Sequence, residues 1–516
     1  MPINLELILT PEEAANDAKI LSILNERTGN KYTSFRKLKQ SIDARKVPVK
    51  IRLILDAYLS GEANELTLWN PVFPQPDKNK SVVIVGFGPA GIFAALQLLE
   101  KGITPIILER GKKVQDRRRD LAVLNRNGPI NEESNYCFGE GGAGTYSDGK
   151  LYTRSKKRGD VRKILEIFVA HGADEKILYE AHPHIGTNKL PQIVESIRET
   201  ILQNGGIIYF NEKLTDIVTK DGHINSVKTA SGLQIETKNL ILATGHSARD
   251  IFELLHSKKI NIEAKSFALG LRIEHPQTLI DSIQYHCNSR GEYLPPASYS
   301  LVEQVKGRGV FSFCMCPGGI IAPAATSDKE IVVNGWSPSK RDGKFANSGM
   351  VVAVNHIDWV KFNQFGPLAA MKYQEETEQK AYNSVAKNRI APAQRLIDFV
   401  QGRTSQSLPE CSYIPGVESV KLDDILPAGI ADSLRQGLLQ MGKKMKGYLS
   451  SDSLLVGVES RTSSPVKIPR DKETLQHPEV KGLFPCGEGA GYAGGIVSAA
   501  IDGIACAESS AISFMD

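Results

Sequence analysis

The residues of this chain that could do chemistry gather in a few glycine-dense segments. Gly86-Phe-Gly88-Pro89-Ala90-Gly91 follows the apolar run Val82–Val85. Gly86 permits a tight turn, Gly88 lets a pyrophosphate approach the backbone, and Gly91 lets the next helix pack closely on the strand. That helix would then aim its positive end at the phosphates over Pro89 and Ala90. Beyond it, Thr104–Leu108 reads as a second strand ending in Glu109-Arg110. A carboxylate there is placed for ribose hydroxyls and disfavours a 2′-phosphate. Strand, turn, helix, strand and acid together make a dinucleotide fingerprint.

Three further segments choose among dinucleotides. Near the C-terminus, Leu483-Phe-Pro-Cys486-Gly487-Glu488-Gly-Ala-Gly-Tyr-Ala-Gly494-Gly495-Ile496 reads as strand, acidic turn and helix start. A cofactor with a ribityl chain needs such a second contact point, and NAD does not. Glu488 and Gly487 suit ribityl or phosphate oxygens. A helix starting near Gly494, Gly495 and Ile496 suits the negative charge of a reduced flavin ring. Phe138-Gly-Glu-Gly141-Gly142-Ala143-Gly144-Thr145-Tyr-Ser147-Asp-Gly-Lys150-Leu151 is too glycine-dense for a core element, and close approach of backbone to a flat ring accounts for it. Leu240–Ala243 reads as a buried strand ending in Thr244-Gly245, where Ala243 and Gly245 bring backbone to the adenine side. The expected cofactor is FAD.

These segments, with Gly457-Val-Glu-Ser-Arg461-Thr-Ser-Ser-Pro465 and Phe313-Cys-Met-Cys-Pro-Gly-Gly319, resemble a bacterial family of largely uncharacterised FAD-dependent dehydrogenases over nearly the whole chain. The resemblance implies a glutathione-reductase-like FAD domain with an inserted substrate domain, and it implies no substrate.

A flavin performs hydride chemistry, so the protein must hold it, tune it and supply protons. Arg461 is a candidate for binding an acidic substrate or a developing enolate, set against an ordinary ion-paired arginine. His184, in His182-Pro-His184-Ile-Gly-Thr187, is a candidate acid or base, set against a capped loop. Lys150 could favour the anionic reduced flavin, set against a solvated lysine. Cys314-Met-Cys316 invites a redox reading, but a CxC disulfide closes a small strained ring and the spacing is not CxxC at a helix start. Two ordinary thiols in a strand are the expectation, and no cysteine spacing suggests a metal site.

The elements that must position these groups divide the chain. Residues 1–75 read as a small N-terminal α/β module: strand Asn4–Leu9, helix Pro11–Glu26 capped by Thr10 with Glu13 in the capping-box position, and extended Val47–Leu59. The linker Asn70–Lys80 carries three prolines. Residues 81–247 read as the first part of a Rossmann-type domain, closing in a β-meander from Ile207 to Thr237. Residues 248–456 read as an inserted α+β substrate domain without a second fingerprint. From Leu454 the chain is expected to return, with 457–516 completing a discontinuous α/β FAD domain.

Composition sets the remaining bounds. The chain has 516 residues, net charge +5, 41% hydrophobic and 23% charged residues, an ordinary globular profile. No apolar run is long enough for a membrane span and no signal peptide is legible. Seven cysteines without a framework fit reduced thiols, hence the cytoplasm. Eight basic residues between Lys31 and Arg52 face Asp43 alone, yet no RNA-binding motif accompanies them. The expected function is an FAD-dependent oxidoreductase acting on a small molecule, with NAD(P)H or another carrier binding transiently. An RNA-associated flavoprotein and a non-turnover FAD redox sensor are the alternatives, and the oligomeric state stays open.

Overall fold

The computed structural model describes residues 2–62, 68–153, 158–386 and 389–514. The N-terminal module runs β1 (Ile3–Leu9), α1 (Pro11–Ala14), α2 (Asp17–Thr28), β2 (Tyr32–Asp43) and β3 (Lys50–Leu59), its strands forming an antiparallel sheet in the order β1-β3-β2. Thr10 and Glu13 make the reciprocal capping box. The single expected helix is two: Asn16 accepts from the Lys19 N–H and starts a new helix, because a short amide competes with the backbone ladder at that point. Strand β2 escaped the sequence reading, since its polar, lysine-rich pattern lacks clean alternation and two register shifts disturb its pairing. Its Gln40 exchanges backbone hydrogen bonds with Tyr179 and Ala181 (2.8 and 2.9 Å), which ties the module to the chain just before His184.

The second unit is a five-stranded parallel sheet. Its parts are β4 (Asp77–Val85), α3 (Pro89–Glu100), β5 (Ile103–Glu109), α4 (Val114–Asn125), α5 (Val161–Ala170), α6 (Leu190–Gln203) and β6 (Ile207–Phe210). After a three-stranded antiparallel sheet, β7 (Leu214–Lys220), β8 (His223–Thr229) and β9 (Gln234–Glu236), the chain re-enters the parallel sheet as β10 (Leu240–Leu242). Ile207–Phe210 was expected in the meander, but it pairs with β5 in parallel. A short apolar strand reads alike in either sheet, and only the crossover helix α6 decides it. Apolar side chains of α3, α5 and α6 bury one face of the sheet; those of β7, β8 and the following helix α7 (Arg249–Ser257) bury the other.

The third unit is built on an eight-stranded sheet. After α7 come β11 (Glu263–Ala264), β12 (Phe267–Pro276), α8 (Gln277–Tyr285), β13 (Val302–Val305), β14 (Arg308–Pro323), β15 (Val333–Trp336), β16 (Phe345–Val354), α9 (Ala369–Asn383), β17 (Ala391–Arg395), α10 (Leu396–Gln401), β18 (Val417–Ser419), α11 (Ala428–Lys444) and β19 (Leu454–Glu459). The order is β13-β14-β16-β12-β19-β17-β18, with β15 on β14. Among the described residues its pairings are antiparallel except β17–β18, which are joined through the six-residue helix α10, closed by Gly402 at φ 71°, and the loop after it.

Both expected edges of the insertion move. Helix α7 packs with β7 and β8, so the large sheet begins only at β12. At the other end β19 lies between β12 and β17, inside the large sheet. The chain pairs back through β20 (Val466–Lys467) on β11 and rejoins the parallel sheet at β21 (Leu483–Pro485), before the final helix α12 (Ile496–Ile512). The run Leu454–Val458 is buried on both faces, and continuous apolar sequence does not say which sheet buries it.

Candidate functional site

The fingerprint turn is shaped by contacts that only glycine allows. Gly86 has φ 101°, and a Cβ on it would stand 2.4 Å from the Ala243 carbonyl oxygen. Gly88 is the N-cap of α3 and offers no side-chain cap, so the first N–H groups of α3, including those of Ala90 and Gly91, face outward unpaired by any cap. Glu109 is buried, and its carboxylate accepts from Phe87 N–H at 2.8 Å, Gly111 N–H at 2.9 Å and Gly139 N–H at 3.0 Å. A carboxylate has about four lone-pair sites, so one is left for a ribose. Its first task here is to clamp three loops. Arg110 stacks over the Phe138 ring and pairs with Glu133 and Asp250.

The glycine-dense loop is held from behind. Arg117, fully buried, donates to the carbonyls of Asn135, Tyr136, Gly139 and Glu140. Glu140 pairs with Arg198 at 2.9 Å and caps Val114 N–H at 2.7 Å. Sequence reasoning missed all three; the acid inside Gly-Glu140-Gly was their one visible signal. So held, the loop walks along the site. Gly142 lies against Gly88, Gly144 against Pro89 and Ile496, and Lys150 donates to the Met315 carbonyl on β14. Thr145 and Ser147 turn their hydroxyls inward, onto the carbonyls of Glu140 and Gly144, while Gly141 packs on Thr145 and Ala143 is exposed.

The closing element meets these from the other side. A Cβ on Gly489 would stand 2.4 Å from the Gly245 carbonyl oxygen, and one on Gly503 2.1 Å from that of Ala90. Gly487 donates to Asp502. Gly245, Gly494 and Gly495, by contrast, face open space. Glu488 is only half-buried by its own surface, yet desolvation raises its carboxyl to about 7 against the opposing pull of Lys265. Among the described residues its carboxylate accepts no hydrogen bond. The acid is thus partly accessible, desolvated and without a hydrogen-bond partner. Open glycine backbone, unpaired N–H groups and such an acid fit an extended dinucleotide.

The proposed reactive residues scatter. Arg461 is not near open space: it is buried in a network with Glu378 and Glu330 (3.0 and 2.6 Å) and Thr326, and Arg249 binds the same two acids. Such pairing needs no substrate, and the acids that claim it are far away in sequence. His246 lies in the field of Arg461 and is held neutral at about 4, first by burial. His184 and Lys150 are brought together as a β-bridge. The His184 ring meets the Ser339 carbonyl at 3.2 Å, and burial followed by the Arg341 charge lowers it to about 4. Asp148, two residues before Lys150, is paired with Arg341 at 2.6 Å. Cys314 and Cys316 were expected in a plain strand, but β14 slips register on both sides of Cys316.

Cys486, Asp502 and Cys506 lie within 4.8 Å of one another. Arg470 already supplies the cation there, bonding Asp502 at 2.6 Å and Cys506 at 3.3 Å. No helix among the described residues is long and apolar enough to cross a membrane.

Three family models match. Residues 1–58 match a domain of unknown function, residues 80–266 the pyridine nucleotide-disulphide oxidoreductases, and residues 266–462 the C-terminal domain of FAD-dependent proteins. An uncharacterized protein of Clostridium beijerinckii is 44% identical over 83% of this chain and 80% of its own. Among solved structures, a geranylgeranyl bacteriochlorophyll reductase-like protein of Thermoplasma acidophilum is 12% identical over 85% of this chain and 80% of that one, at TM-score 0.35. Tetracycline destructase Tet(51) is 11% identical over 58% of this chain, at TM-score 0.28, and the chain spans 64% of its length, under two thirds. Likenesses this low carry no functional argument.

Proposed function

Taking as premise that this chain belongs to the family of FAD-dependent proteins, we propose that it is an oxidoreductase that binds FAD across its parallel sheet and acts on a small molecule at the border of the two large sheets. The observation that carries this is backbone meeting backbone from four separate segments: Gly142 lies against Gly88, Gly489 against Gly245, and Gly144 against Pro89 and Ile496. When bound, FAD supplies the two-electron chemistry.

The chain's own residues supply the rest. The α3 N-terminus binds pyrophosphate through backbone N–H groups at Ala90 and Gly91. Glu109 keeps one lone-pair site for the adenosine ribose. Gly142 and Gly144 let backbone lie flat along the cofactor, and the α12 N-terminus at Gly495 and Ile496 favours negative charge on the reduced ring. Glu488, raised to about 7 by burial, can hold a proton beside the closing element. Reduced nicotinamide, where used, visits this face transiently, because the described part of 248–456 pairs almost wholly antiparallel. Free cysteines throughout agree with a reducing compartment such as the cytoplasm.

Acid release and chromatography of the chromophore test the cofactor: FAD is expected, and FMN or no flavin after reconstitution overturns the reading. Anaerobic titration with NADH and NADPH tests the enzyme; a flavin that no donor reduces overturns the oxidoreductase.

A further inference from the structure

We propose that a small apolar cavity beneath the fingerprint turn holds dioxygen and delivers it to the reduced flavin, so that oxygen is an electron acceptor of this protein. The proposal rests on the reading above and names the oxidant of that same site.

Helix periodicity builds the cavity. Ile92 and Phe93 of α3, Phe168 of α5, Val194 and Ile197 of α6, and Ile496 at the start of α12 line it. Leu190, Val194 and Ile197 recur at the spacing of one helix face, and that stripe forms one wall. Phe93 and Phe168 meet edge to face, their ring centroids 5.4 Å apart at 72°, so two rigid rings brace another. Gly141 and Gly144 close the remaining side and send no side chain into the space. A void of about 20 Å³ is left.

Its chemistry excludes water. A void of roughly 10–15 Å³ has room for one water, but that water needs several polar partners to be held. Thr145 carries the one side-chain hydroxyl among the lining residues, and it already donates to the Glu140 carbonyl at 2.9 Å. The Gly141 N–H is likewise bonded, to the Phe87 carbonyl at 2.7 Å. The remaining side chains of the lining are hydrocarbon. An empty apolar void forfeits dispersion contacts along its walls, and an apolar guest restores them. The space is too small for an organic substrate and fits a diatomic gas. Of the apolar diatomic gases in air, dioxygen is the one that takes electrons from a reduced flavin.

The way out leads to the cofactor. Every lining residue is buried except Pro89 and Gly144, so the cavity opens between these two. The point where a side chain on Gly144 would begin lies 3.5 Å from Pro89 Cγ and 3.2 Å from Ile496 Cγ1, which makes the opening narrow. Pro89 leads α3 and Ile496 leads α12. Those are the two helix starts that the reading above gives to the pyrophosphate and the reduced ring. A guest that leaves the cavity therefore arrives at the cofactor.

The chemistry balances as follows. A reduced donor SH2 gives up two electrons and two protons in the first half-reaction and leaves as S. Dioxygen takes up the two electrons from the reduced cofactor, together with two protons, and leaves as hydrogen peroxide. The sum is SH2 plus O2 to S plus H2O2, with the cofactor returned to its oxidised form.

The test labels the isoleucine δ1 methyls of the oxidised, flavin-loaded protein and records their relaxation under oxygen pressure and under nitrogen. Dioxygen is paramagnetic, so methyls that line its site relax faster. Ile92, Ile197 and Ile496 should broaden more than Ile107 and Ile241, which are buried in the same core but do not line the cavity. Uniform broadening overturns the cavity as an oxygen site. Two variants of Val194, a lining residue outside the proposed cofactor contacts, then test delivery. Val194→Ile should fill the void and Val194→Ala should enlarge it. When protein photoreduced without air is mixed with oxygenated buffer, the flavin should reoxidise several-fold more slowly in the first variant and faster in the second, with hydrogen peroxide as product. A general loss of packing would move both variants the same way. Equal rates in the three proteins, or variants shifted in one direction, overturn the delivery. Flavin content separates the two claims: protein that shows the isoleucine pattern but binds no flavin sinks the FAD reading, and flavin-bearing protein without the pattern sinks the cavity.

Discussion

A Cβ on Gly91 would stand 2.0 Å from the carbonyl oxygen of Gly86. The obstruction is backbone against backbone, so no side-chain rotation relieves it. Gly91→Ala should therefore push α3 off the turn, costing about 3 kcal/mol, and should empty the protein of flavin. Denaturant unfolding and the visible spectrum check this. A variant that unfolds at the wild-type midpoint and stays yellow contradicts the assigned packing.

Glu109 serves the protein before it serves a cofactor. Glu109→Ala leaves the N–H groups of Phe87, Gly111 and Gly139 buried without their acceptor. An unmet buried donor costs about 1–3 kcal/mol, so the flavin-free protein itself should lose about 3 kcal/mol or more. Urea titration of stripped protein measures it. Equal apoprotein stability, with weakened FAD binding only, would restore a purely ribose-binding role.

Arg461→Ala should act on stability. It leaves Glu330 and Glu378 with Arg249 as their shared cation. Breaking a buried pair costs roughly 3–5 kcal/mol, and Arg249 should hold the loss near the lower end. The Michaelis constant of any acidic substrate should stay put in protein that remains folded. A large rise in that constant at unchanged thermal stability would return Arg461 to the substrate.

Glu488 predicts a pH dependence. Its folded carboxyl titrates at about 7, above the ordinary 4.5, because burial disfavours the charge. The folded state thus holds a proton that the unfolded state releases first. Its contribution is fully present below about 4.5 and is lost as pH rises towards 7 and above. Glu488→Gln should remove that slope from stripped protein, a difference of at most about 3 kcal/mol at neutral pH. Parallel stability–pH curves for the two proteins between pH 4.5 and 7 would refute it.

Lys150 should govern thiol reactivity. Its charge opposes the desolvation that raises Cys314. Lys150→Met should slow alkylation of Cys314 by iodoacetamide and move its pH profile upward. An unchanged profile would mean that the charge of Lys150 does not reach the thiol.

What the residues disclosed by themselves was local. A strand entering Gly86-x-Gly88-x-x-Gly91 and a second strand ending in Glu109 form one βαβ unit whose contacts lie within a few dozen residues, so spacing alone carries them. The Thr10–Glu13 capping box is likewise short-range. The failures were long-range. Leu454–Glu459 is apolar whichever sheet receives it, and only pairing with Arg272 and Gln394 neighbours put it in the large sheet.

The same distinction runs through the site. Glycine density at 139–144 announced a loop against something flat, because backbone freedom is a property of the residue type. That Arg117 and the Glu140–Arg198 pair hold this loop depends on partners up to 58 positions apart, and no spacing rule joins them. Arg461 read equally as a substrate binder and as an ion-paired arginine, because charge partners are invisible until the chain folds. Cys314-Met-Cys316 looked like plain strand because a register slip is decided by the neighbouring strand β16. Residue type determined what each segment could do; the tertiary structure decided which charges were already satisfied and which groups stood open, since both depend on what the fold packs beside them.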